Sequence, residues 1–218
     1  MEIVIKVVLA YLLGSLMGGL LIGKLRGVDI RTTGSGNAGT TNAWRSGGAA
    51  FGLMVFVIDI GKGLMAVLLL PGIGIPGMER SAANAEWLPY LCGVAVVIGH
   101  VYPVLFGFRG GKGAATLAGV VAVLLPQTLP VVIAAWLLCL ILTGMVGLST
   151  MVAAAAATVT IAVLGSDGVT DPALLFAISA TLLVLFTHRA NIRRMLAGNE
   201  NRFQRVMLLH RLFGRQQP

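Results

Sequence analysis

A chain of 218 residues that is 57% hydrophobic and 11% charged, with a mean hydropathy of +0.91, has too few polar groups to clothe a water-facing globule, since soluble domains carry about 25% charged residues. Its solvent is the bilayer. The net charge of +8 is then a matter of membrane topology and lipid contact, and a cytosolic nucleic-acid binder is excluded.

Seven apolar stretches follow in chain order, at residues 3–22, 51–70, 88–106, 114–125, 127–143, 145–164 and 172–187. A spanning helix needs about 20 residues, with a tolerated range of about 17–25. The fourth stretch has 12 residues before Pro126, reaches only about 18 Å, and is too short to cross alone. The first stretch, opening MEIVIKVVLAYLLG, has neither the basic n-region nor the A-x-A exit of a cleaved signal peptide, so it reads as a retained membrane helix.

Residues 23–50 form the first polar segment, containing TTGSGNAGTTNAWR at 32–45. Gly34, Gly36 and Gly39 let the backbone turn sharply and present its N–H groups inward, and Ser35, Thr40 and Thr41 add donors of their own. Such a segment makes a phosphate cradle, and Arg45 supplies a forked, permanently charged partner for phosphate oxygens. A flexible Gly/Ser/Thr linker is the competing reading. Asn37, Asn42 and Arg45 favour a ligand loop.

The second stretch holds Asp59 and Lys62, three residues apart on one helical face. Each would cost about 2.5–3.5 kcal/mol at the bilayer centre, so they pair or face a polar interior. Either a supporting intramembrane pair or a direct part in the site satisfies that requirement.

The third stretch runs into GHVYPVLFGFRGGKGAAT, residues 99–116, where Gly110, Gly111 and Gly113 surround Lys112 immediately before the short fourth helix. An anion there meets a compact cation and a helix N-terminus together. The spacing G-x-x-x-G-K-G is not the nucleotide P-loop G-x-x-x-x-G-K-[ST], and no strand precedes it, so ATP binding is rejected. His100 is no H-x-x-x-x-D acyltransferase base either, because Leu105 stands where the aspartate belongs. A short helix after such a loop lets the loop dip into the membrane where it lines a cavity.

The last stretch leads into THRANIRR, where His188 and Asn191 lie one helical turn apart and share a polar pocket. Residues 190–218 form a basic tail in which Leu, Met and Phe alternate with arginines, a pattern suited to the inner surface of an anionic membrane. His210 in that tail is solvated or at the lipid surface. Cys92 and Cys139 sit in apolar runs as packing residues, and no spacing calls for a metal or a cofactor.

Lys24, Arg26, Arg31, Arg45, Arg109, Lys112, Arg189, Arg193, Arg194, Arg202, Arg205, Arg211 and Arg215 all fall on one side if the N-terminus is outside, which is 13 of the 16 basic residues. Glu2, Glu79, Glu86, Asp167 and Asp171 fall on the other. This bias predicts an all-α bundle of seven transmembrane helices, N-terminus outside and C-terminus cytoplasmic, forming a single membrane-embedded domain over 1–218. Three cytoplasmic segments rich in anion-binding groups converge on one side of it, which fits a small phosphate ester meeting an acyl chain. A transporter of a phosphorylated metabolite would need similar charges, but no inverted repeat is visible.

The strings GSGNAGTTN, DIGKG, GHVYPVLFGFRGGKGAAT and THRANIRRMLAGNE resemble the signature loops and C-terminal segment of the bacterial acyl-phosphate:glycerol-3-phosphate acyltransferases, the PlsY family, in the right order over nearly the whole chain. The resemblance implies a seven-helix enzyme of the bacterial inner membrane with a cytoplasm-facing site and no cofactor. It would move a fatty acyl group from acyl phosphate to the 1-hydroxyl of glycerol 3-phosphate, the first step of phospholipid synthesis, giving lysophosphatidate and phosphate. Functional coupling to the enzyme that makes the donor is implied as well. Carried over, the phosphate-contacting serine and asparagine fall on Ser35 and Asn37, the second asparagine on Asn42, the arginine on Arg45, the lysine on Lys112, and the polar pair on His188 and Asn191. Gly34, Gly36, Thr41, Gly110, Gly111 and Gly113 fall among the substrate-binding positions. In GMVGLSTM, Gly147 stands where the family often has serine, leaving Thr150 or Ser149 to replace it.

Overall fold

The computed structural model describes residues 1–78, 85–165, 168, 171–203 and 207, and among these it is helical, without a strand. Glu79, Arg80 and Asp167 of the outer loops, and Arg205, His210, Arg211 and Arg215 of the tail, lie outside the described residues. The chain divides into two compact units, residues 1–126 and 127–218.

In the first unit, α1 (Glu2–Gly14) and α2 (Gly18–Leu25) are bent by 43° at a break over residues 15–17. The uninterrupted first helix expected from hydropathy is therefore two pieces. α3 (Thr40–Leu68) begins well before the apolar stretch at 51 and kinks at Gly48, whose φ is +82°, so the second half of the predicted loop, with Thr41, Asn42 and Arg45, is helical. α4 (Leu88–Val101) and the short α5 (Ala114–Leu124) complete the unit.

Two glycine-mediated crossings hold these helices together. A Cβ on Gly14 would strike the Val96 carbonyl and one on Gly99 the Tyr11 carbonyl, so α1 and α4 touch backbone to backbone. Gly63 faces Thr116 and Gly119 faces Ile60 in the same way, joining α3 to α5. Lipid removes the hydrophobic drive between helices, and close approach of this kind restores dispersion contact. At the far end of α1, Lys6 is buried, pairs with Glu2 and donates to the Pro71 carbonyl at 3.0 Å.

The second unit contains α6 (Leu129–Thr143), α7 (Val146–Gly165), α8 (Pro172–Thr187) and α9 (Arg189–Leu196). Gly144 ends α6 in the left-handed region, and Asp171 caps α8 by accepting from the Ala173 amide at 2.7 Å. The Thr158 and Thr181 hydroxyls lie 2.9 Å apart and donate to the Ala177 and Ala154 carbonyls, lacing α7 to α8. α8 and α9 meet at 56°. Among the described residues, four helical stretches are long and apolar enough to cross a membrane, or up to six with each bent pair taken as one span, while α5 is apolar but short.

Candidate active site

The first loop stands on a floor of Met17, Leu20, Ile30, Ala38, Ala43, Phe51 and Val55, all buried. Asn42 shapes it from the first turn of α3. Its amide accepts from the Ser35 N–H at 2.8 Å and donates to the carbonyls of Ile30 and Thr33 at 2.9 and 3.0 Å, with 1% of the residue exposed. Both N–H bonds are spent inside the loop, so Asn42 organises the cradle from behind. Gly34 and Gly36 take φ of +57° and +71°, conformations costly for other residues, and leave Ser35 exposed between them. Thr40 Oγ1, at the helix start, is buried and makes no hydrogen bond among the described residues. With the early amides of α3, which have no intrahelical acceptors, it adds a donor suited to an anion. Arg45 is exposed one turn further on.

The second loop folds back on the end of α4. Gly110 N–H donates to Val101 O and Gly111 N–H to His100 O, both at 3.2 Å. A Cβ on Gly111 would overlap the His100 ring, and one on Gly110 would overlap the His100 carbonyl. Lys112 is half-buried, and Gly113, at φ +82°, is the N-cap of α5.

Arg31 fastens this loop to the first. Its guanidinium is gripped by Asp29 through Nε–Oδ1 at 3.0 Å and Nη2–Oδ2 at 2.8 Å, while Nη1 donates to Phe106 O at 3.3 Å and Arg109 O at 3.5 Å. Hydrogen bonds from the Arg31 side chain and then its backbone N–H hold the Asp29 carboxyl below its usual range.

Beneath both loops, Asp59 and Lys62 pair at 3.1 Å and are almost fully buried. The pair has company. His100 Nδ1 lies 3.5 Å from Asp59 Oδ1 and 3.0 Å from Thr116 Oγ1.

In the second unit, His188 is buried at the bend between α8 and α9, with Nδ1 2.9 Å from Val184 O. A carbonyl only accepts, so Nδ1 carries the proton and a neutral ring has its lone pair on Nε2. Asn191 is buried and donates to Glu200 Oε1 at 2.6 Å, and Arg194 Nε donates to Glu200 Oε2 at 2.7 Å. A Cβ on Gly147 would press on the Asn191 amide, a physical reason for glycine at that position of α7. The Thr150 hydroxyl donates to Val146 O and accepts from Trp136 Nε1, while Ser149 is fully buried and donates to Met145 O.

Within the first unit the two glycine-rich segments lie side by side. Sequence reasoning passed over their clasp, Asp29–Arg31, and over the His100–Thr116 contact and the Glu200 hub. The D-x-R spacing was the one available signal for the first of these.

A family model described as glycerol-3-phosphate acyltransferase matches residues 4–198. Curated glycerol-3-phosphate acyltransferases from Desulforudis audaxviator and Aquifex aeolicus are 39% and 38% identical, each over 93% of this chain and over 96% and 100% of their own lengths. A crystal structure of PlsY, an integral membrane glycerol 3-phosphate acyltransferase, in its glycerol 3-phosphate form superposes with a TM-score of 0.82 at 37% identity, covering 98% of this chain and all of that one. The lysophosphatidic acid form of PlsY gives a TM-score of 0.80 over 93% of this chain and 96% of that one.

Proposed function

The chain belongs to the glycerol-3-phosphate acyltransferase family, whose reaction opens phospholipid synthesis, and from that premise we propose that its acyl donor is an acyl phosphate. The 1-hydroxyl oxygen of glycerol 3-phosphate attacks the acyl carbonyl carbon, the bond from that carbon to the phosphate oxygen breaks, and lysophosphatidate and inorganic phosphate result. A mixed anhydride is already activated, so neither an acyl-enzyme nor a metal is required. The observation that carries this reading is the Arg31 clasp, which sets two glycine-rich, cation-bearing segments side by side, as two phosphate-bearing substrates demand.

Lys112, Arg45, Ser35 and the amides around Gly34 and Gly36 hold the phosphates and stabilise charge as phosphate leaves, with Asn37, Thr41, Gly110, Gly111 and Gly113 around them. His188 and Asn191 orient glycerol 3-phosphate, and Thr150 stands in for the absent serine. The departing phosphate takes the hydroxyl proton, so no side chain need act as base. The protein sits in the bacterial inner membrane as one seven-span domain with the N-terminus outside and the site facing the cytoplasm, where it receives donor from the enzyme that makes it.

Purified protein given palmitoyl phosphate and glycerol 3-phosphate should release phosphate and form lysophosphatidate, and Lys112→Ala should lower kcat/KM by about a hundredfold or more. Acylation from another activated donor with none from palmitoyl phosphate would overturn the donor assignment. Near-normal turnover by Lys112→Ala would overturn the site.

A further inference from the structure

A break in a membrane helix leaves carbonyls at the end of one piece and amides at the start of the next without partners, and lipid supplies none. At the α1–α2 break, Lys62 Nζ donates to Gly14 O at 2.8 Å and Leu16 O at 3.0 Å. Asp59 Oδ1 accepts from the Gly18 amide at 3.2 Å. The cation thus serves the carbonyl end of α1 and the anion the amide end of α2, the signs that the two helix dipoles favour. The same Asp59 oxygen lies 3.5 Å from His100 Nδ1, which is 3.0 Å from Thr116 Oγ1. On its other edge the imidazole meets the loop, since its Nε2 occupies the space a Gly111 side chain would need, and Gly111 N–H donates to His100 O.

We infer that Asp59, Lys62 and His100 form a positioning cluster that ties the α1–α2 break to the Gly110–Gly113 loop and so sets the seat of Lys112. None of the three is more than 4% exposed, so they act through the loop and not by touching substrate. The inference rests on the phosphate-holding role proposed for Lys112.

The test uses full-length protein in detergent, with phosphate release from palmitoyl phosphate and glycerol 3-phosphate as the readout. His100→Ala should lower kcat/KM by about tenfold, and the His100→Ala/Lys112→Ala double variant should be no worse than Lys112→Ala alone, because both remove the same placed cation. Thr116→Val, nearly isosteric, should raise the KM of a phosphate substrate about threefold with kcat little changed, and Thr116→Ser should restore it. The Thr116 pair keeps the question decidable if His100→Ala fails to fold. Deficits of His100→Ala and Lys112→Ala that multiply in the double variant, or a Thr116→Val enzyme with wild-type KM, would overturn the positioning role alone. A Lys112→Ala enzyme with wild-type turnover overturns the role of Lys112 and the purpose assigned to the cluster with it.

Discussion

Asn42 and Gly147 show how much a residue's neighbours alter its meaning. Asn42 sits in a string that looks like ligand contacts, yet all of its N–H bonds go to the loop's own carbonyls. Replacing it with alanine strands the Ser35 amide and two carbonyls. Asn42→Ala should therefore lower stability by about 1–3 kcal/mol and kcat/KM by about tenfold, read from a melting curve in detergent and from phosphate release. Asn42→Asp keeps the acceptor for the Ser35 amide but sets a carboxylate oxygen against the Ile30 and Thr33 carbonyls, and should be at least as damaging as Asn42→Ala. Gly147 looks like a lost hydroxyl in the sequence. In the structure the Asn191 amide, anchored on Glu200, fills the space where its side chain would begin.

Among the helices, glycine has two unrelated values. Gly63 lies against the Thr116 carbonyl, whereas nothing stands within 4 Å of a Cβ placed on Gly61, two residues away on the same helix. Gly63→Ala should force α3 and α5 apart and lower the melting temperature, while Gly61→Ala should leave it unchanged or raise stability by up to about 1 kcal/mol. The Asp29–Arg31 clasp is a second element-level device, and its sign with pH follows from the lowered carboxyl. A depressed folded-state pKa means the stabilisation is complete above the unfolded value, near pH 4, and is lost as pH falls through the lower folded value. The pair is partly exposed, so the effect is small and salt-sensitive. The difference in melting temperature between the wild type and Asp29→Asn should be at its full size at neutral pH, shrink as the pH is lowered beyond the unfolded carboxyl's value, and be largest at low ionic strength.

At the scale of the whole molecule, the proposed orientation is open to a direct check. Alkaline phosphatase fused after Pro218 should be inactive in cells while green fluorescent protein fused there fluoresces, and the opposite pair of results reverses the topology. Much of the architecture was legible without coordinates. The apolar stretches and the short α5 follow from hydropathy, and the choice for Asp59 and Lys62 between pairing and a polar interior follows from their spacing, because burial in lipid and the cost of a lone charge are imposed on each short segment by the solvent itself. The break at residues 15–17 went unread, since GSLMGG carries no charge to interrupt the apolar stretch and hydropathy carries no information about chain direction. The start of α3 at Thr40 was hidden by its polar first turns. Arg31 reaching Phe106, His100 meeting Thr116, and Lys62 serving Gly14 depend on helices that pack where glycines let them touch. The sequence by itself determined which segments are apolar and which side chains have the chemistry an anion would need. Only the tertiary structure decided which of those groups are spent holding the protein together, because a hydrogen bond has a single partner and that partner is chosen by packing.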